Sequence, residues 1–229
     1  MKSIVRYSIV ATLLAASACA VTPIPATSAA PPVNTEELPT GSTADADTLL
    51  TDVRTLAPGI RVGLRYATAD NFTGAPLPGY EGNHAFLRRE AARALARVAR
   101  RAEGDGLTLH VFDAYRPVRA TLAMVAWTER SGRTDLLRDG YIASRSRHNL
   151  GLAIDLTLLD ASGAPLEMGT PFDTFSPTAH TANASGTALA NRRRLQRLME
   201  SEGWVNYDQE WWHYSFTVPN PLRFDRVIR

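Results

Sequence analysis

Apolar and polar residues alternate from Ile60 through Val62 and Leu64 to Tyr66, which predicts a strand with one buried face. Leu87, Ala91, Leu95, Val98 and Ala102 recur instead at helical spacing, with arginines between them. That pattern predicts an amphipathic helix, ended by Gly104 and Gly106. Residues 107–113 read as a second strand that delivers Asp113-Ala114-Tyr115-Arg116-Pro117 at its end, and Pro117 suits the first turn of a helix running to about residue 129. Residues 152–158 form an apolar strand with a carboxylate, Asp155, inside it. Leu195, Leu198 and Met199 stripe a helix over residues 191–202, which Gly203 is placed to stop. Residues 204–207 and 211–217 fit a closing hairpin. Strands and helices mix without a repeating strand-helix-strand rhythm, so the predicted class is α+β.

The ends change this picture. Lys2 and Arg6 precede an apolar stretch, residues 9–16, too short to span a bilayer, and small residues follow. Residues 1–19 therefore read as a secretory signal peptide. Ala16-Ser17-Ala18 is an A-x-A cleavage site, while Ala16-Ser17-Ala18-Cys19 is similar to a bacterial lipobox. Two readings of Cys19 follow: a lipidated anchor to a membrane, or an incidental residue after cleavage. The expected location is outside the bacterial cytoplasm, periplasmic or membrane-anchored. Residues 20–47 are rich in Pro, Ala, Thr and Ser and read as a disordered tether, leaving residues 48–229 as one folded domain.

Charge and cysteine content narrow the chemistry. A formal net charge of +2 argues against a nucleic-acid partner, and no long acidic, basic or heptad surface calls for a protein partner. Cys19 is the single cysteine, so no disulfide braces the domain and a metal would have to be held by His, Asp or Glu.

His148, Asp155 and His213 supply such a set: two imidazoles and one carboxylate bind one zinc ion and keep a fourth position for water. Glu210, three residues before His213, is placed to take a proton from that water. Each residue alone has an ordinary reading: a loop histidine, a hydrogen-bonded core aspartate, a satisfied core histidine, a solvated turn glutamate. Asp155 carries the most information, because a carboxylate between Ile154 and Leu156 is costly unless a cation or hydrogen bonds meet it. Gly151 and Ala153 would let the loop pack closely at the metal. In a period-two strand Glu210 and His213 would face opposite sides, so this reading requires Glu210 to sit in a turn or bulge. Arg116, at a strand end, could stabilise an oxyanion or clamp a carboxylate, or simply pair with Asp113.

The pattern Ser-x-His-x-x-Gly-x-Ala-x-Asp over residues 146–155, with Glu-x-x-His over 210–213, resembles the D-alanyl-D-alanine dipeptidases. These are VanX-type zinc peptidases, related to D,D-carboxypeptidases and to the hedgehog-type fold. Residues 65–68, 70–74, 113–117, 140–144, 155–158, 191–195 and 210–214 share the likeness, which covers essentially the whole folded domain. The resemblance implies a central antiparallel sheet flanked by helices and cleavage of D-Ala-D-Ala to free D-alanine. It implies zinc on His148, Asp155 and His213, Glu210 as general base and then acid, and Arg116 at the oxyanion. It also implies that Tyr66, Asp113 and Ser146 line the pocket for a small D-dipeptide. Arg147 stands where the vancomycin-resistance members carry small polar residues, which bears on substrate preference. The competing readings are a zinc D,D-carboxypeptidase or peptidoglycan endopeptidase, and a non-catalytic zinc domain binding wall fragments. Having both Glu210 and Arg116 argues against the last, since binding alone needs neither a proton shuttle nor an oxyanion donor.

Overall fold

The computed structural model describes residues 38–229. The signal segment, Cys19 and the tether up to residue 37 lie outside the described residues. The first helix, α1 (Thr43–Leu49), begins inside the stretch that composition assigns to the tether. Ser42 and Asp45 form a capping box: the Asp45 N–H donates to Ser42 Oγ (3.1 Å) and the Ser42 N–H to the Asp45 carboxylate (2.8 Å). Such a cap is worth about 1 kcal/mol. Ala46 is fully buried, so folded structure begins upstream of Thr48.

Two short strands follow the helix in space: β1 (Leu50–Asp52) and β3 (Phe86–Arg88) pair antiparallel. The main sheet has five strands in the order β2 (Arg61–Val62), β4 (Thr108–Asp113), β5 (Ala153–Leu159), β7 (His213–Ser215), β6 (Val205–Asn206). It is antiparallel except for the β2–β4 pair. One face carries Leu109, Val111, Ile154, Leu156, Leu158 and Tyr214, each essentially buried. Helices α2 (Arg89–Gly104) and α5 (Gly186–Glu200) pack together near this sheet, α2 on β4 and α5 on β6. Burying each large apolar side chain contributes roughly 1.5–3 kcal/mol. Helices α3 (Val118–Arg130) and α4 (Asp135–Arg138) lie in sequence between β4 and β5. Among the described residues no helix is long and apolar enough to cross a membrane.

The periodicity locates the buried positions better than the boundaries. Ile60, Leu64 and Tyr66 are all buried, yet only Arg61 and Val62 are strand, and a 3-10 turn at Arg65–Ala67 swings Tyr66 inward. Leu87 belongs to β3 and not to the helix, because β1 pairs with it and the Arg88 N–H donates to the Gly151 carbonyl (2.8 Å). Pro117 caps α3 from outside, and α5 starts five residues before Asn191. The closing strands are shorter than the hairpin pattern implies.

Candidate active site

The polar face of the sheet is assembled by register. Val111 pairs with Leu156, but Asp113 pairs with Asp155, so Phe112 is an extra residue in β4. A strict ladder would set Asp113 opposite Ile154 and turn its carboxyl to the apolar face. The bulge returns it to the face of Asp155. Asp155 in turn lies opposite His213 of β7, so Asp113, Asp155 and His213 form one cross-strand row. His148 comes from a 3-10 turn, Arg147–Leu150, whose N-cap Ser146 accepts from the His148 N–H through Oγ (3.2 Å). Gly151 ends that turn at φ +63°. A Cβ there would lie 2.6 Å from Leu50 Cδ2 and 3.0 Å from the Arg88 nitrogen. The glycine is thus needed where the loop crosses β1 and β3, and not at the metal as its place in the motif implies.

His148 Nδ1 lies 2.6 Å from the Ala114 carbonyl, which can only accept, so Nδ1 carries the proton and Nε2 presents a lone pair. Nε2 is 3.3 Å from His213 Nδ1 and 3.4 Å from Asp155 Oδ2, while His213 Nδ1 is 2.9 Å from Asp155 Oδ1. Tetrahedral zinc with bonds of about 2.0–2.1 Å separates its ligand atoms by about 3.3–3.4 Å. The donor set therefore fits zinc in type and number, two of its three separations match that spacing, and its three residues could hold a metal ion. Burial pushes the Asp155 carboxyl up, but the two imidazoles outweigh it and hold the group well below the usual carboxylate range. Burial also lowers the His213 imidazole, against the pull of Asp155. An ionised Asp155 beside a His213 imidazole held below its ordinary value suits the binding of a cation.

Glu210 sits in the turn before β7 and not in a strand. Its N–H donates to the Tyr207 carbonyl, and the His213 N–H donates to the Glu210 carbonyl (3.1 Å). This turn brings the Glu210 carboxylate within 3.8 Å of His213 Nδ1, resolving the face problem that period two poses. Burial, then the carboxylates of Asp155 and Asp173, push the Glu210 carboxyl well above its ordinary range, with Arg116 opposing.

Arg116 lines the same cavity, its guanidinium 5.0 Å over the Tyr66 ring. Asp113 holds it from behind, through Nε at 2.9 Å and Nη2 at 2.8 Å, and accepts from Tyr80 Oη at 2.6 Å. Burial works against the Arg116 charge, but Asp113 and its neighbours overcome that and raise its pKa well above the normal value. Asp113 is fully buried behind Arg116 and is absent from the cavity wall, where the resemblance places it. Tyr66 and Ser146 do line the cavity. Arg147 reaches its edge, but its guanidinium donates to the Phe216 carbonyl and lies 3.3 Å from Thr217 Oγ1.

Asp173 is the wall residue that sequence reasoning misses. It adopts φ +58°, accepts from Tyr66 Oη (3.0 Å), and its carboxyl is pushed up to about 8 by burial and then by Asp155. No periodic element carries it: it lies in an irregular stretch after Pro171 and Phe172, and only its closure onto Tyr66 brings it to the site. The cavity these groups share measures about 280 Å³, at the small end of ligand pockets.

Comparison with known proteins points the same way as this geometry. A family model described as D-Ala-D-Ala dipeptidase, peptidase M15, matches residues 46–222. A D-alanyl-D-alanine dipeptidase of Enterococcus faecium is 40% identical over 173 residues, covering 68% of this chain and 85% of the relative. One from Streptomyces coelicolor is 36% identical over 72% of this chain and 91% of its own. One from Escherichia coli is 35% identical over 73% of this chain and 84% of its own.

Proposed function

The chain belongs to the D-Ala-D-Ala dipeptidase family, peptidase M15, a family of zinc metallopeptidases, and from that premise we propose that it hydrolyses D-Ala-D-Ala to two molecules of D-alanine. The observation that carries the reading is the convergence of His148, Asp155 and His213 with Glu210 and Arg116 on one small cavity. His148, Asp155 and His213 would hold one zinc ion, which when bound supplies Lewis acidity to polarise the scissile carbonyl and acidify water. Glu210 takes a proton from the attacking water and delivers it to the departing amine. Burial and the neighbouring carboxylates raise its affinity for a proton, which favours its acting as the base. Arg116, preorganised by Asp113, donates to the oxyanion as charge develops on the carbonyl oxygen. Asp173 receives the substrate ammonium: a buried carboxyl raised to about 8 is one that a cation would stabilise. Tyr66 orients Asp173 through its hydroxyl, and Ser146 caps the turn that presents His148. An exported location, expected from residues 1–19, would put the enzyme where D-amino acid peptides are made and trimmed.

The test is release of D-alanine from D-Ala-D-Ala by the zinc-loaded protein, with L-Ala-L-Ala and a chelator as controls. Chelator-sensitive cleavage of the D-dipeptide is expected. A zinc-loaded protein that cleaves no D-Ala-terminated substrate would favour a binding domain.

A further inference from the structure

A second cavity of about 370 Å³ adjoins the first, bounded by Asp135 and Asp139 on one side and by Ser176, Pro177 and His180 on the other. Tyr141 and Phe175 belong to both walls, so their side chains separate the two spaces. The rings pack with centroids 5.9 Å apart, and Phe72 meets Phe175 edge-on at 5.1 Å. Tyr141 Oη lies 3.2 Å from His180 Nε2, so one polar contact holds the tyrosine across the gap. The far side is firmer. Arg192, fully buried, donates to the carbonyls of Met168, Thr178 and His180 and pins both ends of the loop that carries Phe175.

The position of this wall gives it meaning. Phe175 follows Asp173 by two residues on that loop, so the wall stands at the end of the cavity that would receive the substrate ammonium. A longer peptide ending in D-Ala-D-Ala replaces that ammonium with an amide and continues beyond it. Such a chain would run into the two rings.

We propose that Tyr141 and Phe175 form a partition that sets the length of peptide this site accepts, and that the space behind it is where an amino-terminally extended D-Ala-D-Ala peptide would lie once the partition is removed. The inference rests on the dipeptidase reading above and names the residues that would enforce its selectivity. The carboxylates on the far side are matched: Asp135 pairs with Arg133 and Asp139 with Arg138, so neither is a bare negative charge facing an incoming peptide.

The experiment compares kcat/KM for D-Ala-D-Ala with that for the same dipeptide extended at its amino end by one residue and by three. It uses the full zinc-loaded chain, and zinc content and melting temperature are checked for each variant. Wild-type protein should prefer the dipeptide strongly. Phe175→Ala, alone and with Tyr141→Ala, should raise the extended-to-dipeptide ratio about tenfold or more, a change within reach of removing apolar contacts from a pocket. His180→Ala, which releases the tyrosine from outside the first cavity, should raise the ratio by a smaller factor. Should the alanine variants fail to fold, Phe175→Leu and His180→Ala carry the same comparison. Zinc-replete, folded variants that cleave the dipeptide with an unchanged ratio overturn the partition, as does a wild type that cleaves both peptides equally. A wild type inactive on the dipeptide defeats the dipeptidase reading itself.

Discussion

Asp113 and Asp155 face each other across β4 and β5 because Phe112 is one residue too many for the ladder between them. That single bulge puts the carboxylate that holds Arg116 on the same face as the carboxylate that completes the His–Asp–His set. Two acidic groups side by side repel, and each is compensated by its own cationic or imidazole partner.

Asp113 is therefore expected to act on stability as well as rate. Asp113→Ala leaves the buried guanidinium of Arg116 with only the more distant Asp155, at 3.8 Å, as counter-charge, which should cost about 3 kcal/mol. Urea unfolding of the metal-free protein measures this. Arg116→Ala should lower kcat by roughly 10²–10³ with a smaller change in KM, as loss of an oxyanion donor does. An Asp113→Ala protein as stable as wild type would contradict the buried ion pair.

Glu210 and His148 should separate cleanly when mutated. Glu210→Ala keeps all three ligand side chains and should retain zinc, while kcat falls by about 10²–10⁴ through loss of the proton shuttle. His148→Ala leaves two ligand side chains and should lose the metal. Zinc stoichiometry alongside steady-state rates distinguishes them. Zinc loss in the Glu210 variant would make that residue a ligand, and stoichiometric zinc in the His148 variant would refute the ligand set.

Asp173 predicts a pH dependence of stability in the metal-free protein. Its carboxyl is pushed up to about 8 in the native state, whereas an unfolded aspartate titrates near about 3.9. Between these values the native protein keeps a proton that the unfolded chain has released. The contribution is thus fully present below about pH 4, declines as pH rises, and is lost above about pH 8. Unfolding of wild type and Asp173→Asn across that range should show the balance moving toward the asparagine variant as pH increases. Parallel curves would remove Asp173 from the groups that titrate on folding.

Residue identity and short-range spacing are enough to make His148, Asp155, Glu210 and His213 a recognisable set, because donor chemistry resides in the side chains themselves. The same holds for the buried stripe of Ala91, Leu95, Val98 and Ala102, whose helical period is a local property. Strand ends and registers are not local. Ile60 to Tyr66 alternates like a full strand, yet the ladder with β4 uses two residues before the chain turns Tyr66 into the cavity. Glu210 reaches the face of His213 only through the turn that precedes β7. Gly151 is explained by Leu50 and Arg88, distant in sequence and folded back against it, and not by its own motif. Asp173 and the Tyr141–Phe175 wall come from irregular segments whose positions depend on Tyr66, His180 and Arg192. What the chain encodes locally is which groups are present. Which of them share a cavity, and how that cavity is closed, is decided by long-range pairing, since backbone hydrogen bonds and buried contacts between distant segments outweigh local preference.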